Sequence, residues 1–141
     1  MKVLSRRIIY KGIFCLLAGA ALGLICSFMA SIAMINWDGF WGSSIMWGVI
    51  YNRILIGFVV FGVSFINPFK KMQIKPWQRG FIVGCLVSID LSIWFLMIDH
   101  PKILYLFFSS MIIGGVYGVI IDHYSSKYFG HRHQLVKYSA E

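Results

Sequence analysis

The sequence predicts an all-α integral membrane protein, a bundle of four transmembrane helices. Three observations predict it. The 141 residues are 59% hydrophobic and 13% charged, with a mean hydropathy of +0.77, whereas soluble domains run at roughly 45–50% apolar and about 25% charged. A chain of this length buries about 68–70% of its unfolded surface, so in water much of the apolar excess would stay exposed. Second, apolar runs at 12–35, 43–66, 80–98 and 103–121 each approach the roughly 20 residues that cross a hydrocarbon core of about 30 Å. Third, the cations are placed asymmetrically. Lys2, Arg6, Arg7 and Lys11 precede the first run, Lys70, Lys71, Lys75 and Arg79 separate the second from the third, and Lys127, Arg132 and Lys137 follow the fourth. The other two loops hold only Lys102. The positive-inside rule then places both termini in the cytoplasm and the protein in the cell inner membrane as a multi-pass chain. The net charge of +8 becomes a topology signal. An ordinary soluble enzyme, a disordered tail and a disulfide-stapled module are excluded, and nucleic-acid binding would need a basic face on a soluble fold.

The first run exceeds the 7–15-residue apolar core of a cleaved secretory signal and is expected to stay as an anchor. It carries Gly19, Gly23, Ser27 and Ser31 at four-residue spacing. Trp37, Phe40, Trp41 and Trp47 follow it, and Trp77, Tyr124 and Tyr128 stand at the opposite ends; amphipathic rings suit the headgroup layer. The second run includes ILIGFVVF at 54–61, which lacks the alternation of a barrel strand. The third repeats the small-residue spacing as Gly80, Gly84, Ser88 and Ser92, at an offset of 61 from the first. Ile32 with Ile93, Asp38 with Asp99, Gly57 with Gly118 and Ser64 with Ser125 extend the match. A duplicated two-helix hairpin explains the offset, and an even number of spans per unit makes the two halves parallel. Residues four apart share a helix face, and small ones admit a second backbone. The first and third helices are therefore expected to pack along these stripes, against each other or against a neighbouring subunit. The fourth run closes a membrane domain spanning 1–122, and 123–141 is expected as a short basic tail on an anionic membrane surface.

Ionisable groups at bilayer depth are costly and mark candidate functional positions. Arg53, beside Asn52, lies about ten residues into the second run, and Asp90 about ten into the third. At the centre of a span each costs roughly 2.5–3.5 kcal/mol on insertion scales, so an Arg53–Asp90 pair between adjacent antiparallel spans is expected. Asp90 lies about 200° around the helix from Ser88, off the small-residue stripe. Gly57, one turn from Arg53, is expected to leave room for the guanidinium or a solute. Asp122, next to His123, reads as a solvated helix end, with a gate or proton entry as the alternative. The candidate substrate or ion pathway thus comprises Asn52, Arg53, Asp90 and Asp122.

Catalytic motifs are lacking: there is no G-x-S-x-G, no H-E-x-x-H and no phosphate-cradling glycine loop. Asp99, His100 and Lys102 cluster around Pro101, which reads first as a turn. His123, His131 and His133 lack a metal-ligand spacing, and Cys15, Cys26 and Cys85 read as small buried side chains. No enzymatic activity, metal or cofactor is expected. The functional expectation is a small protein that transports or conducts a small solute or ion through a polar midplane site. The alternative is a noncatalytic accessory or scaffold subunit. Expected partners are the lipid bilayer and further copies or other membrane subunits, because four spans rarely enclose a pathway alone.

Overall fold

In a computed structural model the described residues are 2–33, 43–66, 74–96 and 103–129. They form four helices: α1 (Lys2–Ala33), α2 (Ser44–Ile66), α3 (Pro76–Leu96) and α4 (Ile103–Phe129). Local chemistry explains two of the starts. Ser43 caps α2, its Oγ accepting the Met46 amide at 3.3 Å, which satisfies one of the donors a helix N-terminus leaves open. Pro76 opens α3, where its missing N–H has no helical partner to lose, and Gln78 Oε1 accepts the Lys75 amide at 3.1 Å, half of a capping box. At the far end, α4 runs to Phe129, eight residues beyond the expected limit of its span. The first part of the anticipated tail is therefore helical.

Three of the four helices are long and apolar enough to cross a membrane, over Arg6–Ile32 of α1, Met46–Ser64 of α2 and Phe107–Phe129 of α4. Helix α3 carries Gln78, Arg79 and Asp90 and does not reach that apolarity over its described residues. The four crossings expected from the sequence thus stand as three by this measure.

The bundle is polar inside and apolar outside. Among the described residues twelve polar or charged side chains are buried against eight apolar ones, the reverse of a soluble core. Leu17, Leu24, Met29, Phe58, Leu86, Phe108 and Ile112 all face outward. A small apolar cluster of Cys15, Ile56, Val60, Val83 and Ile121 fills the remaining interior.

Consecutive helices pair most closely, α1 on α2 and α3 on α4; α2 on α3 and α1 on α4 close the bundle, with α2 also touching α4. Helices α1 and α3 lie diagonally, so the expected packing of one stripe on the other does not occur. Each stripe instead works inside its own hairpin. A Cβ on Gly19 would stand 2.6 Å from the Arg53 carbonyl oxygen, and one on Gly23 would stand 3.1 Å from Ile50 Cα. A Cβ on Gly84 would stand 2.8 Å from the Gly114 carbonyl carbon, and one on Gly80 would meet Gly118. Backbone-to-backbone approach within each hairpin supplies the contact, the mode small-residue stripes provide between helices. The serines above the glycines divide their bonds. Ser31 Oγ donates to the Phe28 carbonyl of its own helix at 2.7 Å, and Ser92 Oγ is shared between the Ser88 carbonyl of its own helix at 2.8 Å and the Phe107 carbonyl of α4 at 3.2 Å.

Candidate functional site

Two polar clusters occupy the interior, and neither is the pair expected from the sequence. The first surrounds Arg53, which is 2% exposed. Its Nη1 donates to Asn52 Oδ1 at 3.1 Å and to Ser88 Oγ of α3 at 2.9 Å. Its Nη2 lies 3.7 Å from Cys26 Sγ of α1, and the guanidinium carbon is 5.3 Å from the centre of the Tyr117 ring of α4. All four helices therefore contribute to one site. Asn52 is held in turn by donating from Nδ2 to the Val87 carbonyl at 3.0 Å. Every one of these partners is neutral in its ordinary form, and Arg53 Nε has no partner.

The local reason for this placement lies in α2. Asn52 and Arg53 are successive residues, so one turns toward α3 while the other reaches between α1, α3 and α4. Gly23 is needed opposite, because a Cβ there would stand 3.3 Å from Arg53 Cβ. Gly57 does not leave room for the guanidinium, as a Cβ on it would meet the Cys15 carbonyl. The α1 backbone has taken that space, and the arginine extends toward the N-terminus of its helix, as helical side chains do.

Asp90 takes no part. It is exposed, on the outward side of α3 with Leu86 and Ile93, and the expected Arg53–Asp90 pair is not formed. The physical reason is rotational. Ser88 turns inward to Arg53, and a position about 200° further round the helix must then face away from the bundle.

The second cluster lies at the base of the bundle, where α1 and α3 begin and α2 and α4 end. Asp122 is 0% exposed and grips Arg79 with both oxygens: Nη2 donates to Oδ1 at 2.7 Å and Nε to Oδ2 at 2.9 Å. Ser126 Oγ adds a contact to Oδ1 at 3.3 Å. Lys11 of α1 is buried close enough to feel both charges. The expectation of a solvated helix end at Asp122 is thus overturned. Sequence reading counted Arg79 and Lys11 only as loop cations. A signal was present, since Arg79 adjoins Gly80 and Asp122 lies one turn beyond Gly118, the glycines at which α3 and α4 touch.

Of the four pathway candidates, the structure brings Asn52 and Arg53 together, sets Asp122 at the base and leaves Asp90 outside. Cys15 is buried, and Cys26 and Cys85 are half-buried, all three as free thiols. Trp47 belongs to α2 rather than a loop, and Trp77, Tyr124 and Tyr128 are exposed near the base. Trp37, Asp38, Phe40, Trp41, Asp99, His100, Pro101, Lys102, His131 and His133 lie outside the described residues. Set against protein-family models, curated proteins and solved structures, the chain matches none of them.

Proposed function

We propose that this is a multi-pass inner-membrane protein that passes a small solute through the polar site at Arg53, with both termini in the cytoplasm. One observation carries the reading: a guanidinium that cannot discard its proton is buried where four helices meet, without a carboxylate among its partners. A purely structural arginine would be matched as Arg79 is, by a bidentate acid. The Arg79–Asp122 pair supplies that structural role at the base. The positive-inside asymmetry of the loops supports the orientation.

An origin by duplication is supported by register. Gly57 approaches Gly19 as Gly118 approaches Gly80, and Gly23 faces Arg53 as Gly84 faces Gly114; both correspondences keep the offset of 61. The chemistry does not repeat. At that offset Arg53 becomes Gly114, while Arg79 and Asp122 become Ala18 and Phe61. Each hairpin keeps the packing and carries its own polar cluster, as expected when a scaffold is retained and a site is added.

The working form in this reading is a homo-oligomer. Asp90 lies among apolar side chains on the outer face, a position that favours cover by another chain. Tyr51 is also exposed. Bonds from α2 to α3 place Arg53 beside Ser88. Tyr51 and Asp90 are each two residues from that level, toward the same end of the antiparallel pair. A second copy covering this side would offer the Asp90 carboxylate a donor, and the exposed Tyr51 phenol is one at a matching level.

Flux in proteoliposomes tests the function. Wild-type protein should release small entrapped solutes in a manner lost in Arg53→Met; equal release by both folded proteins, or by neither, would refute the transport reading.

A further inference from the structure

Among the described residues three buried side-chain atoms lack a hydrogen-bond partner: Ser27 Oγ, Arg53 Nε and Ser110 Oγ. Two of them belong to the packed pair α1 and α2. Ser27 follows Cys26, whose sulfur contacts the Arg53 guanidinium, and it stands one turn above Gly23, which packs on Arg53 Cβ. Ser27 is 0% exposed and lies on the stripe that faces α2. A donor-only guanidinium nitrogen and a serine hydroxyl, both buried where α1 packs on α2, lack an acceptor.

Building on the transport reading, which it narrows to a solute class, we propose that Arg53 and Ser27 bind a small monovalent anion of the halide or nitrate kind between α1 and α2. Charge argues for an anion. Burying an ion without a counter-charge carries a heavy desolvation penalty even after relaxation, and arginine, unlike lysine or aspartate, cannot escape by losing or gaining a proton. Asn52, Ser88, Cys26 and Tyr117 offer only neutral acceptors or a ring face, which offset part of that cost. An anion supplies the rest and gives the Nε–H and the serine O–H their acceptor.

The number of cations argues for a single charge. Lys11 and Arg79, the other buried or half-buried cations among the described residues, belong to the base. Lys11 is fifteen residues before Cys26 on one helix, about 22 Å at 1.5 Å per residue. A sulfate or phosphate dianion would bring a second charge with nothing at this level to match it. Its desolvation penalty also grows steeply with charge. Weakly hydrated monovalent anions meet the site at the lowest cost.

The test is chloride-35 NMR on the full chain in detergent micelles. Exchange with a bound site broadens the free-chloride line, and nitrate should reverse the broadening by competition. Wild-type protein should show saturable, nitrate-sensitive broadening. Arg53→Gln should abolish it, and Ser27→Ala should weaken the affinity about tenfold, the loss of one hydrogen bond to a charged group. Ser64→Ala, at a serine bonded within its own helix, should change nothing. No saturable broadening in the wild type would overturn the site, as would equal broadening in Ser27→Ala. Should Arg53→Gln fail to fold, the Ser27→Ala comparison decides alone. Chloride binding without any flux would remove the transport reading and leave the site standing. Arg53-dependent flux of neutral solutes without chloride binding would do the reverse.

Discussion

Replacing Gly84 by alanine adds a single methyl group where the backbones of α3 and α4 cross in close contact. That methyl would stand 2.8 Å from the Gly114 carbonyl carbon and 3.0 Å from Gly115 Cα. Ordinary contact begins near 3.4 Å, and the obstructing atoms are backbone, which cannot rotate aside. The Gly114 carbonyl oxygen stands closer still, so the helices must separate by more than about 0.6 Å, and a gap of about 0.5–1 Å forfeits a quarter to a half of the dispersion energy of the contacts it opens. Overpacking of this kind costs about 1–3 kcal/mol. Alanine also gains about 0.8–1.0 kcal/mol of helix propensity over glycine, which would mask part of the loss. Gly62→Ala provides the correction, because a Cβ at Gly62 meets nothing within 4 Å and keeps the same propensity gain. The difference between the two variants should therefore be about 1–3 kcal/mol, Gly84→Ala being the less stable. Denaturation by SDS in mixed micelles, followed by tryptophan fluorescence, measures it. Equal midpoints for the two variants would refute the close-approach account of the stripes.

Asp122→Leu should cost about 3–5 kcal/mol by leaving the half-buried Arg79 without its acid, and the same SDS titration reads it. Adding Arg79→Met should recover much of that loss but not all, since Lys11 remains beside the vacated position. Arg53→Met should lower stability less than Asp122→Leu does, because it removes an uncompensated charge; a larger loss would show that Arg53 is a structural keystone. Asp90→Leu should shift the protein toward monomer in mild detergent, as read by light scattering, and an unchanged oligomer would refute the Tyr51–Asp90 contact.

The helices themselves are largely written in hydropathy. Four helices appear where the apolar runs stand, and three of them keep the length and apolarity that a bilayer crossing requires. Asn52 and Arg53 were visible for a related reason: polarity inside such a run is expensive, so it stands out. Azimuth was the missing quantity. The stripes of α1 and α3 were recognised as contact faces, yet spacing alone does not say which helix sits opposite. Spacing alone allows α1 to pack on α3 or on a neighbouring subunit, whereas close approach inside each hairpin pairs Gly19 with α2 and Gly84 with α4. Once Ser88 is turned to α2 and α4, Asp90 must face outward, and the expected ion pair fails by geometry rather than by depth. Asp122 was misjudged because its partner lies 43 residues away. Only the Gly80–Gly118 contact reveals that Arg79 and Asp122 meet.

Spin-label accessibility measures the central claim most directly, that the apolar faces meet lipid while the polar groups turn inward. Labels placed singly at Leu24, Phe58, Leu86 and Ile112, in protein reconstituted into bilayers, should relax strongly with dissolved oxygen and weakly with a water-soluble nickel complex. Strong relaxation by the nickel complex at those four positions would place them in water and contradict a membrane-embedded bundle.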